Sequence, residues 1–136
     1  MMSNKNFADM SHEDSIALTR SIMSILDSWG LYGESLIAVL DLPDGTPKRA
    51  LRKYRENTPF PDSKNVYNRL EHIIGIADAL RTTYPHNPPM GILWLQQRNK
   101  QFQNRIPLQI IIDDGIDGLM EVRAHLDCTY DWHINP

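Results

Sequence analysis

Apolar residues recur at three- and four-residue steps along much of the chain, the spacing that places side chains on one face of an α-helix. The clearest stripe lies in a long segment that Ser63 can cap and that ends near Thr83, with the members Val66, Leu70, Ile73, Ala77 and Leu80. Such a stripe is usually protein core or a seam between helices. An earlier helix, capped by Ser11 and ended by Gly30, carries a second predicted apolar face, made of Leu18, Ile22, Ile25 and Trp29.

Prolines and glycines separate further short segments in the first half of the chain. A second helix is predicted over residues 33–41, and the turn 42–45 follows it because Pro-Asp-Gly suits a tight turn. Thr46 and Pro47 then open a third helix as N-cap and first helical residue. The proline-bracketed connector 57–62 is the predicted domain boundary.

The second half is predicted to be helical as well. A helix runs to about Gln97, a polar loop covers 97–105, and a last helix runs from about Asp117 to Cys128. Three β-branched residues at 110–112 would in isolation fit a buried strand. With Pro107 before them, glycines after them and no partner strand, a short helix over 107–113 is favoured. The fold class is therefore all-α, with about six or seven helices.

Composition bounds the kind of protein. The 136 residues suffice for one domain or two small ones sharing a core, and 23% charged residues beside 41% hydrophobic ones argue against disorder. The sequence contains no run of about 18 apolar residues, so no membrane span is expected. Residues 1–10 read as a flexible N-terminus without a signal peptide. A single cysteine, Cys128, is consistent with a reducing cytoplasm. We expect Cys128 to be a small apolar residue of a helix.

Positive charge is concentrated in residues 46–56. Five basic residues against Glu56 give this segment +4, which leaves −7 for the rest of a chain whose net charge is −3. A short turn followed by a basic amphipathic helix is typical of a helix-turn-helix, in which cations face DNA phosphates. The candidate DNA-binding residues are Thr46, Lys48, Arg49, Arg52, Lys53 and Arg55. The alternative is a solvated basic helix face.

Enzymatic motifs are missing from the sequence. The aspartates at 113–117 resemble a calcium loop, but Gly115 and Ala124 stand where oxygen ligands are required. The five histidines lack zinc-binding spacing, and phosphate-binding and nucleophile motifs do not occur. Cys128 and His125 lie three residues apart without an oxyanion hole or orienting group. We therefore expect no catalytic residue, no metal site and no cofactor.

A spaced pattern of landmark residues runs from Trp94 to Asp127. Its members are Trp94, Leu95, Asn99, Phe102, Pro107, Leu108, Gly115, Gly118, Leu119, Val122, Leu126 and Asp127. The pattern resembles the C-terminal toxin-binding domain of the Xre/MbcA/ParS-type antitoxins. There, a Trp-Leu helix end, an Asn-x-x-Phe/Leu loop and a Pro-Leu helix start precede a Gly-Leu and a closing Val-x-x-x-Leu-Asp. The resemblance covers roughly the last 40 residues well and extends weakly back to about residue 30.

This resemblance implies an antitoxin. Residues 11–57 would form a helix-turn-helix-like part that binds the operon's own promoter, and residues 63–136 a toxin-binding domain, in a chain that pairs as a homodimer. The toxin would be a RES-domain protein that consumes NAD⁺, with the last helix and the tail 129–136 entering its cleft. Trp94 and Phe102 would belong to the scaffold. The predicted toxin-binding residues are the exposed groups Arg123, Asp127, Tyr130, Asp131, Trp132 and His133.

Two other functions fit the same sequence. The chain could be a stand-alone helix-turn-helix transcriptional regulator whose C-terminal domain only dimerises, or a protein–protein adaptor that does not bind DNA. Within the antitoxin interpretation, Trp132 could instead fold back onto its own helix. If the tail is not the inhibitory element, the contact would instead lie on the face from Trp94 to Pro107.

Overall fold

The fold is all-α, as the sequence predicts. The computed structural model describes residues 9–43 and 45–134, with side chains described as far as Cys128. This part of the chain contains no strand. Its helices are α1 His12–Ser28, α2 Glu34–Leu40, α3 Lys48–Glu56, α4 Lys64–Thr83, α5 Pro88–Gln96, a 3₁₀ helix Lys100–Phe102, α6 Pro107–Asp113 and α7 Gly115–Ile134. The chain forms two compact units, residues 1–71 and 72–136, whose division falls within α4.

Helix α1 begins and ends where its caps predict, but only part of its predicted apolar face is buried. The Ser11 hydroxyl accepts the Asp14 N–H at 3.1 Å, and Gly30 takes a φ of +91° after the helix. The buried positions are Thr19, Ile22, Met23 and Leu26. The predicted members Leu18 and Ile25 are only half-buried. The other two predicted members, Ile22 and Trp29, are buried as expected. The prediction was wrong at Leu18 and Ile25 because apolar side chains surround much of α1, so that two overlapping stripes fit the same spacing.

Thr19 is a buried polar residue on α1. Its hydroxyl donates to the Ser15 carbonyl at 2.8 Å and accepts the Phe60 N–H at 3.0 Å. The Phe60 ring is buried and lies 5.1 Å from the Tyr54 ring. The predicted boundary at 57–62 therefore lies inside the first unit, because this connector packs on α1 and α3.

The connection between α2 and α3 is longer than expected. It comprises residues 41–47, in which Asp41 and Gly45 have positive φ angles of 54° and 82° and Leu42 is buried. Asp44 lies outside the described residues. The prediction of Thr46 as N-cap was wrong by one residue, since Pro47 occupies the cap position. The Thr46 hydroxyl instead donates to the Pro43 carbonyl at 2.6 Å, within the turn.

The polar loop after α5 is held by a set of internal hydrogen bonds. The Asn99 side chain accepts the Gln101 N–H at 2.8 Å, and the Asn99 N–H donates to the Arg105 carbonyl at 3.1 Å. The Arg105 guanidinium donates to both carboxylate oxygens of Asp114, at 2.9 and 3.2 Å, and lowers the pKa of that carboxyl. These contacts close the loop and place Phe102 in the core of the second unit.

The end of the chain is helical for longer than predicted. Residues 107–113 form a helix, as expected. However, α7 begins at Gly115 and continues to Ile134, whereas the sequence interpretation ended it near Cys128 and treated 129–136 as a tail. Between residues 119 and 134 no glycine or proline interrupts the helix, so the chain has no local reason to leave it.

Gly118 lies close against the backbone of α6. A Cβ atom at this position would lie 2.3 Å from the Ile110 carbonyl oxygen. We therefore expect Gly118→Ala to lower the free energy of unfolding by about 1–3 kcal/mol, as overpacking does. Urea denaturation measures this change. Met120→Ala on the same helix is the control, because Met120 is exposed and its loss should cost no more than about 0.5 kcal/mol. Equal urea midpoints for Gly118→Ala and the wild type would contradict the close approach.

Candidate functional site

The first candidate surface is the outward side of α3. Leu51 and Tyr54 are buried on the inward side of this helix. With 3.6 residues per turn, the opposite side carries four exposed cations, here called the basic face: Lys48, Arg49, Arg52 and Lys53. This arrangement lets α3 pack on its own unit while presenting cations outward.

The cations of the basic face are only lightly engaged. Arg52 lies 3.3 Å from Glu56, but both side chains are more than half exposed, so this pair is weak. Lys48, Arg49 and Lys53 form no ion pair among the described residues. The basic face can therefore supply several cations to a polyanion without breaking strong ion pairs within the protein.

Two predicted DNA-binding residues are engaged elsewhere. The Nε and NH2 groups of Arg55 donate to the Asp27 carboxylate at 2.9 and 2.8 Å, which joins α3 to α1 and raises the pKa of Arg55. Thr46 is bonded within its turn. The structure thus brings together four of the six predicted residues on one face. Arg55 instead forms an ion pair that joins α3 to α1.

Sequence reasoning missed Tyr32, which lies beside the basic face. Its side chain is 79% exposed, on a loop between Gly30 and Gly33, both with positive φ. A Cβ built on Gly33 would lie 3.8 Å from Lys48 Cε, so this loop borders the first residue of α3. A phenol here can donate to a phosphate or stack on a base. The signal in the sequence was a tyrosine between two loop glycines.

The second candidate surface lies in the second unit and centres on an aromatic cluster. His125 of α7 stacks on Trp94 with ring centroids 5.8 Å apart and lies 4.9 Å from Phe102. Phe102 is buried, as expected, but Trp94 is only half-buried and the neighbouring Leu95 is fully buried instead. Part of the Trp94 ring therefore belongs to the surface.

The burial of His125 predicts that the stability of the protein depends on pH. Burial lowers the pKa of His125 from its usual 6.5. The unfolded chain then takes up its proton at a higher pH than the folded chain, so the free energy of unfolding should decrease as pH falls below about 6.5. Urea denaturation at pH values on either side of 6.5 measures this loss. His125→Phe, which keeps an aromatic ring, should show a smaller loss on acidification, whereas an identical pH dependence would contradict this account.

Helix α5 extends the cluster with exposed apolar side chains. Met90 and Leu93 are each 43% exposed and lie three residues apart on one side of the helix. No charged residue occurs between Thr82 and Gln97. Exposed methionine and leucine next to a partly exposed tryptophan are typical of a protein-binding surface.

The predicted toxin-binding residues on α7 are placed as follows. Arg123 is half-buried, with NH1 3.2 Å from His72 Nδ1 and Nε 3.9 Å from the carboxylate of Asp127. Asp127 is exposed. The backbone of residues 130–133 continues α7, but the side chains of the predicted residues Tyr130, Asp131, Trp132 and His133 lie outside the described residues.

Other kinds of site find no support in the described part of the chain. No three metal-binding side chains gather there, and no described helix is both long and apolar enough to cross a membrane. Cys128, expected as a small apolar helix residue, is exposed. The chain matches none of the protein-family models, curated proteins or solved structures with which it was compared.

Proposed function

We propose that this chain is an antitoxin that binds and inhibits a RES-domain toxin, an enzyme that consumes NAD⁺ in the cytoplasm, and that represses its own operon. The observation that carries the proposal is the role of the landmark residues between Trp94 and Asp127. Phe102, Leu119, Val122 and Leu126 are buried in the second unit. The resemblance gains support because its landmark residues lie at core positions, where the fold requires apolar side chains.

The landmarks that break helices support the same interpretation. Pro107 is the first residue of α6, and Gly115 turns the chain between α6 and α7 with a φ of +65°. Gly118 permits the contact of α7 with the α6 backbone. The spacing of the pattern thus corresponds to a loop and two helices, rather than to scattered similar residues.

The surface around α7 suits a protein partner. The charged groups Arg123 and Asp127 lie on one side of α7, and His125, which stacks on the partly exposed Trp94 of α5, lies on the opposite side. Arginine and aromatic anchors are both typical of protein interfaces. Because α7 has 20 residues, it is about 30 Å long, which gives it the reach to enter a cleft.

Co-expression with an adjacent RES-type reading frame, followed by a pull-down, tests the proposal. We expect the two proteins to purify together and the toxin's effect on cell growth to be suppressed. A RES-domain protein that stays in the flow-through, while still killing cells that express this chain, would contradict the proposed function.

The basic face favours a second candidate, a stand-alone DNA-binding regulator in which the second unit serves dimerisation. Both candidates require salt-dependent binding to duplex DNA, because phosphate contacts release counterions. An adaptor without DNA binding would lack it. Only the antitoxin also requires the RES-domain partner, so the pull-down separates the two candidates. Light scattering tests the homodimer that both share.

A further inference from the structure

The loop between α1 and α2, residues 30–33, is held by backbone hydrogen bonds at both ends. Its first and last residues are glycines with positive φ angles of 91° and 58°, a conformation that other residues rarely adopt. The Leu31 N–H donates to the Leu26 carbonyl of α1 at 3.2 Å. The Ser35 N–H of α2 donates to the Tyr32 carbonyl, also at 3.2 Å. The backbone at Tyr32 is therefore joined to both neighbouring helices.

The two central side chains of this loop lie in opposite environments. Leu31 is buried, which anchors the loop in the core of the first unit, whereas the Tyr32 side chain is 79% exposed. The Tyr32 hydroxyl forms no hydrogen bond to any other residue that the structure describes. A ring left mostly in water contributes little to stability, because it buries little apolar surface. Packing within the fold thus does not account for a tyrosine at this position.

The loop adjoins the basic face at Lys48. A Cβ built on Gly33 would lie 3.8 Å from Lys48 Cε, the distance of an ordinary van der Waals contact. Lys48 forms no ion pair within the described part of the chain, so its charge is available to a phosphate. Phosphates follow one another at about 3.4 Å of helix axis along each DNA strand. A strand that reaches Lys48 therefore brings further phosphates close to this loop.

We propose that Tyr32 is a DNA-binding residue outside α3, whose hydroxyl donates a hydrogen bond to a backbone phosphate beside the one that Lys48 contacts. The inference rests on the promoter binding in the proposed function and adds a contact from a second element to it. Tyrosine is among the side chains that bond to DNA phosphates, and a charged acceptor strengthens the bond. A phosphate is favoured over a base because the loop lies beside α3, whereas the helix itself would enter the groove. The anchored backbone limits the freedom lost on binding.

Fluorescence anisotropy with the full chain tests this contact on two labelled duplexes, one from upstream of its own gene and an unrelated one of equal length. Tyr32→Phe should weaken binding to both by the same factor, about fivefold or more, because phosphate contacts carry no sequence information. The slope of log K against log salt should stay that of the wild type, since an uncharged donor displaces no counterion. Tyr84→Phe, which removes a hydroxyl from the second unit, is the control and should bind as the wild type does.

Several results would overturn the proposal. Wild-type affinity of Tyr32→Phe would do so, and if Tyr32→Ala then bound weakly, the ring would act by stacking on a base instead. A loss confined to the promoter duplex would place the hydroxyl at a base edge rather than at a phosphate. A lower urea midpoint for Tyr32→Phe would show that the hydroxyl serves the fold, whereas an exposed group should leave it unchanged.

The wild type separates failure of this inference from failure of the proposed function. If the wild type binds duplex DNA and Tyr32→Phe binds equally well, only the role of Tyr32 is rejected. If the wild type binds neither duplex at any salt concentration, promoter binding is rejected together with the contact from Tyr32.

Discussion

Truncation after Asp127 is expected to abolish neutralisation of the toxin while leaving the protein folded. The cut removes residues 128–136, including the last part of α7, and keeps the buried residues Leu119, Val122 and Leu126. The removed segment contains Tyr130 and Trp132, and an aromatic anchor commonly contributes about 2 kcal/mol or more to binding. Survival of cells that co-express the toxin measures the effect.

A matched control for the truncation is Met120→Ala, a change at an exposed position earlier on α7. This variant should protect cells as the wild type does, and circular dichroism should show that the truncated chain retains its helices. If the truncated chain protects cells fully, the end of α7 is not the inhibitory element. The contact would then be sought on the face from Trp94 to Pro107.

Replacing Arg49 and Lys53 together by alanine is expected to weaken promoter binding strongly and to reduce its dependence on salt. Both side chains are exposed on the basic face, and neither forms an ion pair among the described residues. Each lost phosphate contact lowers the slope of log K against log salt by about 0.9, so the double variant should lose roughly 1.8. Fluorescence anisotropy over a series of salt concentrations measures the slope.

Removing Lys64 and Lys100 instead gives a control with the same change in net charge. Lys64 and Lys100 are exposed and lie outside the basic face. Their joint replacement by alanine should leave the slope close to that of the wild type. Equal slopes for the wild type and the Arg49/Lys53 variant would show that the basic face does not contact DNA. A wild type that binds no promoter would reject DNA binding as a function of the chain.

Local signals in the sequence were sufficient for most helix boundaries. Ser11 caps α1, Ser63 precedes α4 and Pro107 begins α6, because capping and proline geometry depend only on neighbouring residues. Isoleucines 110 and 111 are buried in a helix, as the missing partner strand indicated. The same local rules failed at Thr46, whose hydroxyl had a competing acceptor in the turn before it.

Features that depend on distant residues could not be predicted in this way. The buried face of α1 includes Thr19, whose hydroxyl accepts from the N–H of Phe60, 41 positions away. The engagement of Arg55 depends on Asp27, and the close approach of the Arg123 side chain to Gly75 joins residues of two different helices. In the candidate site, the sequence therefore indicated which helix carries the cations and which helix closes the second unit. It could not show which side chains are already held by partners.

The most direct measurement is the rate of NAD⁺ consumption by the purified RES-domain toxin as the full-length chain is added. We expect the rate to fall in proportion to the added chain and to approach zero once the toxin is saturated, while the chain truncated after Asp127 leaves the rate unchanged. A toxin that consumes NAD⁺ at its full rate in a large excess of the full-length chain would contradict the proposed function.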